Sequence, residues 1–244
     1  MITRTLLLCW VGVAHLAAHA DAATPVQAWT GDLALGLQLS DSESKTRRYT
    51  ASADLSRRHQ RSELSLEFDL DREYVKIPGN QAELDRDRYD LRLKYRHDLQ
   101  DQALFGYVSP RWRRNASGYY VQAKALRAGF GGRFQPLEPL LLTLEAGAGY
   151  RVARVEGGAT AREGLGTIAA QARWKLRPGV EWRLEFAHEQ SRQERYRTLE
   201  SSLHTRISEH LGVKVRASYE RGYPFSSTDP SAETNLDVSL SYAL

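Results

Sequence analysis

Apolar residues recur at every second position along most of this chain of 244 residues. The clearest run is Leu140–Tyr150, in which Leu142, Leu144, Ala146 and Ala148 alternate mainly with polar or small residues. Residues at i and i+2 share one face of a β-strand but fall on different faces of a helix. The period therefore predicts strands with one apolar face.

Twelve segments with this period follow one another, and each predicts one strand. The segments are Trp29–Leu39, Tyr49–Leu55, Leu64–Leu70, Tyr89–Tyr95, Ala103–Val108, Tyr119–Phe130, Leu140–Tyr150, Ile168–Leu176, Val180–Phe186, Leu199–Ile207, Leu211–Tyr219 and Leu236–Leu244. The fifth segment is the weakest, and we expect Phe105 and Tyr107 to face outward there. In the sixth, the phase of the alternation slips near Ala125, which predicts a β-bulge.

The strand count and the connections favour a barrel. An even number of strands lets both ends of a barrel lie in the periplasm, and strands of about 9–11 residues cross a bilayer. The connections after odd-numbered strands are longer on average than those after even-numbered strands, as expected for external loops and periplasmic turns. The predicted fold class is all-β, a transmembrane antiparallel up-and-down β-barrel of about 12 strands.

Aromatic residues fall near both ends of the predicted strands, where the two membrane interfaces favour them. Those at the periplasmic ends are Trp29, Tyr95, Trp174, Trp182 and Tyr242, and those at the outer ends are Tyr49, Tyr74, Tyr89, Tyr150, Tyr196 and Tyr219. A soluble β-sandwich, or a lipid-binding barrel of eight to ten strands, is the main alternative. Such a fold has the same alternation, with the apolar face turned inward.

The first residues predict a secretory signal peptide at residues 1–20, followed by the barrel at residues 21–244. Arg4 precedes a mostly apolar stretch, and Ala18-His19-Ala20 fits the rule of small residues at a cleavage site. Ala20-Asp21-Ala22 is a second candidate. An N-terminal anchor helix is the alternative, but the apolar run is shorter than the ~20 residues that a spanning helix needs.

Composition narrows the function classes. The single cysteine, Cys9, lies in the predicted signal peptide, which leaves no disulfide or thiolate site in the mature chain. The net charge of +4 comes from interspersed signs without a basic stripe, so we expect no nucleic-acid partner. Mean hydropathy is −0.53, which a barrel with a wet lumen also produces because only alternate residues face lipid.

The residues between the apolar ones are strongly charged and are predicted to line the lumen. The candidates are Arg92, Lys94, Glu145, Arg173, Lys175, Glu181, Arg183, Glu185, His204, Arg206, Lys214 and Arg216. Opposite signs on neighbouring strands predict cross-strand ion pairs. The charges either fill the lumen of a structural barrel or line a narrow pore that passes small polar solutes.

Catalysis has weak support. His188 with Ser191, and His204 with Ser202, could each be drawn as a base and a nucleophile of a lipid-modifying enzyme. No third residue completes either pair, so we expect no enzyme, and the sequence indicates no metal or other cofactor. A third hypothesis is a surface binding module built from the predicted external loops, which are Val75–Asp87, Ala153–Leu165 and Arg221–Glu233.

Four stretches resemble a domain-of-unknown-function family known as salt-induced outer membrane proteins. They are Trp29–Leu37, Ala53–Arg58, the glycine-rich Gln122–Arg133, and the C-terminal Leu236–Leu244 with Tyr242 third from the end. The resemblance implies an outer-membrane β-barrel of uncharacterised role in the cell outer membrane, without catalytic residues. We therefore expect as partners the lipid of that membrane and its insertion machinery, and a monomeric state.

Overall fold

The computed structural model describes residues 28–41, 45–76, 83–99, 103–115, 120–155, 158–224 and 231–244. The predicted signal peptide lies outside these residues. Among them, no helix is long and apolar enough to cross a bilayer. The strands are β1 (Thr30–Asp41), β2 (Lys45–His59), β3 (Ser62–Lys76), β4 (Glu83–Asp98), β5 (Leu104–Asn115), β6 (Tyr120–Leu137), β7 (Leu140–Val155), β8 (Thr160–Arg177), β9 (Val180–Ser191), β10 (Glu194–Arg206), β11 (Leu211–Pro224) and β12 (Ser231–Ala243).

The strands form one closed barrel, in which each strand pairs antiparallel with the next and β12 pairs with β1. This confirms the predicted up-and-down barrel. The large apolar side chains point away from the lumen: Phe130 is 71% exposed and Leu236 is 68% exposed. A soluble sandwich or lipid-binding barrel would bury that face, so the apolar wall belongs against lipid.

The contact between β1 and β12, here called the seam, is the shortest ladder in the barrel. Its register runs only from Asp32 opposite Ala243 to Leu35 opposite Leu240. By contrast, β1 pairs with β2 along its whole length, from Thr30 to Asp41. Beyond Leu35, the outer parts of β1 and β12 are therefore each paired on one side only.

The strands are longer at their outer ends than the apolar pattern predicts. β3 continues to Lys76 and β4 begins at Glu83, so only residues 77–82 separate them instead of the predicted loop Val75–Asp87. Similarly, β10 and β11 carry their ladder up to Glu194 opposite Pro224. Polar residues interrupt the apolar alternation there, but the backbone ladder continues because it needs no apolar side chains. The predicted external loops are therefore largely strand ends.

Two details of the sequence prediction are wrong. β6 has no irregularity near Ala125; its register shifts lie between Tyr120 and Gln122 and between Phe134 and Leu137. Alanines fit both faces of a strand, which made the phase look broken. Phe105 and Tyr107 face the lumen, where they are 0% and 7% exposed.

Glycines explain why those two aromatic rings fit inside. A Cβ on Gly131 would lie 2.4 Å from the Cζ atom of Phe105, and one on Gly147 would lie 2.5 Å from the hydroxyl of Tyr107. The rings of β5 thus lie flat over the glycine-rich inner surface of β6 and β7. Guanidinium groups of Arg96 and Arg133 then cover the Phe105 ring, at 5.0 and 5.4 Å from its centroid.

The outward aromatic residues lie near both ends of the barrel. Tyr49 packs edge-on against Tyr74 at the outer end, and Trp174 packs against Trp182 at the end with the tight 178–179 turn. That end also carries the start of β1 and the end of β12, so it is the periplasmic end. Tyr196 departs from the prediction because it points into the lumen.

Candidate functional site

The lumen is the candidate site, and all twelve predicted lumen residues lie on its wall. Eleven of them line the two cavities described below. The twelfth, Lys214, lies 3.3 Å from the inward carboxylate of Asp54. The alternating pattern of the strands places them there, since every second side chain points inward.

The described part of the lumen contains two cavities. The periplasmic vestibule has a volume of about 920 Å³ and reaches the periplasmic turn at Pro178 and Gly179. The inner cavity has a volume of about 240 Å³ and extends from Glu67 and Lys94 to Tyr196 and Glu220. Both exceed the ~10–15 Å³ that one water molecule needs. They adjoin each other, because they share the lining residues Glu67, Lys94, Thr143, Glu145, Gln171 and Glu185.

Ion pairs cross the lumen at the outer side of the inner cavity, and we call them the outer ion-pair layer. Arg111 on β5 donates from Nε to Asp90, at 2.8 Å, and from Nη1 to Glu189 on β9, at 2.9 Å. Arg127 on β6 lies 2.7 Å from the same Glu189 carboxylate. The side chain of Glu189 is only 8% exposed, so two guanidinium groups compensate its burial.

The same layer also joins β4 and β5 to the opposite wall. Arg88 pairs with Glu220, which also accepts a hydrogen bond from the hydroxyl of Tyr196. The guanidinium of Arg113 stacks over the Tyr196 ring, 4.7 Å from its centroid. These contacts link β4 to β11 and β5 to β10. Arg86 extends the layer outward, with a salt bridge of 2.5 Å to Glu233.

Below this layer, some ion pairs also cross the lumen, as between Arg183 on β9 and Asp54 on β2 at 3.8 Å, and others lie closer to the wall. Lys94 contacts both oxygens of Glu145 at 2.8 Å, and its Nζ lies 5.3 Å from the Tyr107 ring centroid. Arg92 donates to Glu67 at 2.8 Å on the neighbouring strand. The pairing of acidic β3 with basic β4 thus follows the sequence prediction.

Charge composition differs between the two cavities. Ten acidic and seven basic side chains line the inner cavity, a formal charge of −3. Seven acidic and nine basic side chains line the vestibule, a formal charge of +2. By these counts, the smaller cavity is the more acidic one. Glu200 contributes to it and has no hydrogen bond or ion pair to another described residue.

The sequence prediction missed the residues of the outer ion-pair layer. Arg88, Asp90, Arg111, Glu189 and Tyr196 lie at strand ends or in segments that looked like loops, and Tyr196 looked like an interface aromatic. Continuing the alternation of each strand through the charged residues would have turned them inward. Their pairing across the barrel has no signal in one sequence, because it depends on strand tilt and barrel shape.

The two proposed histidine–serine pairs do not form. His188 and Ser191 are three residues apart in β9 and therefore face opposite sides of the sheet. His204 contacts Ser241 on β12 instead of Ser202, with 2.8 Å between Nε2 and Oγ. Ser241 is 2% exposed, which leaves its hydroxyl no room for a substrate.

Metal ligation has no support in the part of the chain that the structure describes. No group of three His, Cys, Asp or Glu side chains there could hold a metal ion. The carboxylates of the lumen instead face arginine and lysine side chains, as at Glu145 and Glu189.

The family follows from a match over nearly all of the barrel. The model of the family described as "Protein of unknown function, DUF481" matches residues 33–244. The chain belongs to the DUF481 family. No protein with a curated description matches it.

Solved structures with the same fold as this DUF481 barrel are outer-membrane proteins. An outer membrane channel from Pseudomonas putida F1 superposes with a TM-score of 0.52 at 11% identity, covering 92% of this chain and 99% of that chain. The NanC porin superposes with a TM-score of 0.52 at 8% identity, covering 88% of this chain and 100% of that chain. With its apolar outer wall, the DUF481 barrel is an outer-membrane β-barrel of porin-like fold.

Proposed function

We propose that this barrel is a narrow outer-membrane channel for small charged solutes, with a preference for cations and no catalytic centre. One observation carries the proposal: two adjoining cavities with polar linings, the vestibule and the inner cavity, follow each other along the lumen. A barrel that served only as a membrane scaffold would need no such space, because side chains could fill it.

The preference for cations is inferred from the inner cavity, which is the smaller of the two spaces and has a formal charge of −3. Charged linings act most strongly where the walls are close and the dielectric is low. The more basic vestibule has the larger volume, so we expect its field on a passing ion to be weaker. The outer ion-pair layer lies in series with the inner cavity and limits the size of what passes.

Conductance in planar bilayers tests the proposal. Purified, folded protein should give discrete conductance steps in KCl, and a KCl gradient should give a reversal potential that favours K⁺. Glu138→Gln, in the exposed turn before β7, is the matched control and should leave both unchanged. Bilayers that stay silent with folded protein would refute a channel, and a reversal potential that favours Cl⁻ would refute the cation preference.

A further inference from the structure

The outward face at the outer end of the barrel carries a cluster of cations, independent of the lumen. We define the outer basic patch as Arg114 on β5, Lys124 on β6, Arg154 on β7 and Arg162 on β8. The register places Arg114, Gln122, Arg154 and Thr160 in one row across these strands. The next row inward contains Trp112, Lys124, Val152 and Arg162.

Both rows lie on the lipid side of the wall. Val152 is 38% exposed and Trp112 is 40% exposed, and one step closer to the periplasm the same face presents Leu126 and Tyr150, at 57% and 52%. Two residues along a strand cover about 7 Å. The cations therefore lie where the apolar wall ends and where the headgroups of the outer leaflet begin.

The patch keeps its positive charge. Among the described residues, neither row from β5 to β8 contains an acidic side chain. The nearest outward carboxylate, Asp87 on β4, is 6% exposed and lies 3.0 Å from Arg72 and 3.1 Å from Arg114. The single buried carboxylate of Asp87 thus pairs with both arginines and orients Arg114. The three residues Arg72, Asp87 and Arg114 together keep a net charge of +1.

We propose that the outer basic patch binds the phosphate groups of phosphorylated lipids in the outer leaflet. Charge complementarity selects an anionic occupant, and continuity with the lipid-facing wall selects one that is anchored in the membrane. Guanidinium groups bind phosphate oxygens with paired, charge-assisted hydrogen bonds. Four cations on four adjacent strands span about 14 Å, which is wide enough for a headgroup with two phosphates.

The test compares lipid binding by two double variants. In Arg154→Gln/Arg162→Gln, two charges of the patch are lost. In Arg57→Gln/Arg61→Gln, two charges are lost at the periplasmic end, from the outward face of β2 and the turn after it. Native mass spectrometry in a non-ionic detergent measures the binding of bisphosphorylated lipid A and of the same lipid after dephosphorylation.

We expect wild type and the periplasmic variant to bind bisphosphorylated lipid A equally, and the patch variant to bind it about thirtyfold more weakly. Dephosphorylated lipid should bind weakly to all three. Equal binding by both double variants, or equal binding of both lipids by wild type, would overturn the proposal. Displacement of the lipid by millimolar inorganic phosphate would also overturn it, because the site would then suit a soluble anion.

Heat-modifiable gel mobility of each variant serves as the control that the variant is folded. Should the patch variant not fold, Arg154→Lys/Arg162→Lys keeps the charge but removes the paired hydrogen bonds. That variant should retain binding at a reduced level and should lose it at a lower salt concentration than wild type. Undiminished affinity and salt resistance in the lysine variant would contradict guanidinium–phosphate recognition.

Discussion

Arg111 and Glu189 join β5 to β9 across the lumen, with 2.9 Å between Nη1 of the arginine and the nearer carboxylate oxygen. Three strands, β6, β7 and β8, separate them along the shorter way round the barrel, so the contact crosses the lumen. Arg127 binds the same carboxylate at 2.7 Å. A single carboxylate thus holds two arginines of neighbouring strands at the outer side of the inner cavity.

Glu189→Gln should therefore loosen the outer ion-pair layer. Removing the negative charge leaves Arg111 and Arg127 to repel each other, at a cost of about 3–5 kcal/mol in folding stability. We expect a larger single-channel conductance and a lower midpoint of urea unfolding than in wild type. Glu138→Gln is the surface control; an unchanged conductance in a folded Glu189→Gln barrel would mean that this layer does not limit passage.

Glu200→Gln should reduce the preference for cations without disturbing an ion pair. The side chain lines the inner cavity. The change makes the formal charge of that cavity less negative, from −3 to −2, and keeps the shape of the residue. The reversal potential in a KCl gradient should move towards zero. Glu209→Gln, in the exposed periplasmic turn after β10, should leave it in place; equal shifts in both variants would assign selectivity to the overall charge of the protein.

Gly131→Ala should destabilise the barrel, whereas Gly166→Ala should not. The added methyl group on Gly131 meets the Phe105 ring at 2.4 Å and a backbone oxygen of Leu144 at 2.7 Å, while nothing lies within 4 Å of a Cβ on Gly166. Overpacking of this kind costs about 1–3 kcal/mol. Urea unfolding followed by tryptophan fluorescence checks the difference, and equal stability of the two variants would contradict the placement of Phe105.

The glycines also show what one sequence can and cannot specify. The alternation of Leu142, Leu144 and Ala146 specifies β7 without ambiguity, because only lipid-facing positions must be apolar. An aromatic residue such as Phe105 fits the lipid interface by its chemistry alone. Its inward position depends on a glycine of the neighbouring strand, and therefore on a register that no pattern within β5 reveals.

For the charged residues of the lumen, the sequence likewise predicts some features and not others. Inward positions such as Arg92 and Glu145 follow from alternation, since neighbouring lipid-facing residues fix their phase. The partner of each charge does not follow, because Lys94 reaches past β5 and β6 to Glu145 on β7. The sequence predicts loops at the outer ends for a related reason: a strand beyond the membrane no longer needs an apolar face.

His204→Ala and Ser241→Ala should destabilise the end of the barrel by similar amounts. The imidazole of His204 crosses over Gly212, whose added Cβ would lie 2.6 Å from Nε2, and reaches Ser241 two strands away. Each single change removes one hydrogen bond, worth about 1 kcal/mol. The double variant should lose little more than either single variant; fully additive losses in urea unfolding would mean that the two side chains act independently.

Disulfide cross-linking should detect the short ladder of the seam. Leu35 and Leu240 are register partners on β1 and β12, and Leu37 and Val238 would be the next outward-facing pair if the ladder continued. Because the register ends at Leu35, Leu35→Cys/Leu240→Cys should cross-link readily under mild oxidation. Leu37→Cys/Val238→Cys should cross-link more slowly, since a disulfide requires Cα atoms within about 7 Å.

No native cysteine is expected to compete in this experiment, because Cys9 is the single cysteine of the chain and lies in the predicted signal peptide. Gel mobility of the oxidised variants, heated without reductant so that the barrel unfolds, gives the rates. The pair Ala51→Cys/Leu70→Cys, at register partners on β2 and β3, is a second control within a full ladder. Equal rates for the two seam pairs would show that β1 and β12 are also hydrogen-bonded along their outer halves. Backbone hydrogen exchange of residues 236–239 would then be as slow as that of β7, whereas the short ladder predicts faster exchange.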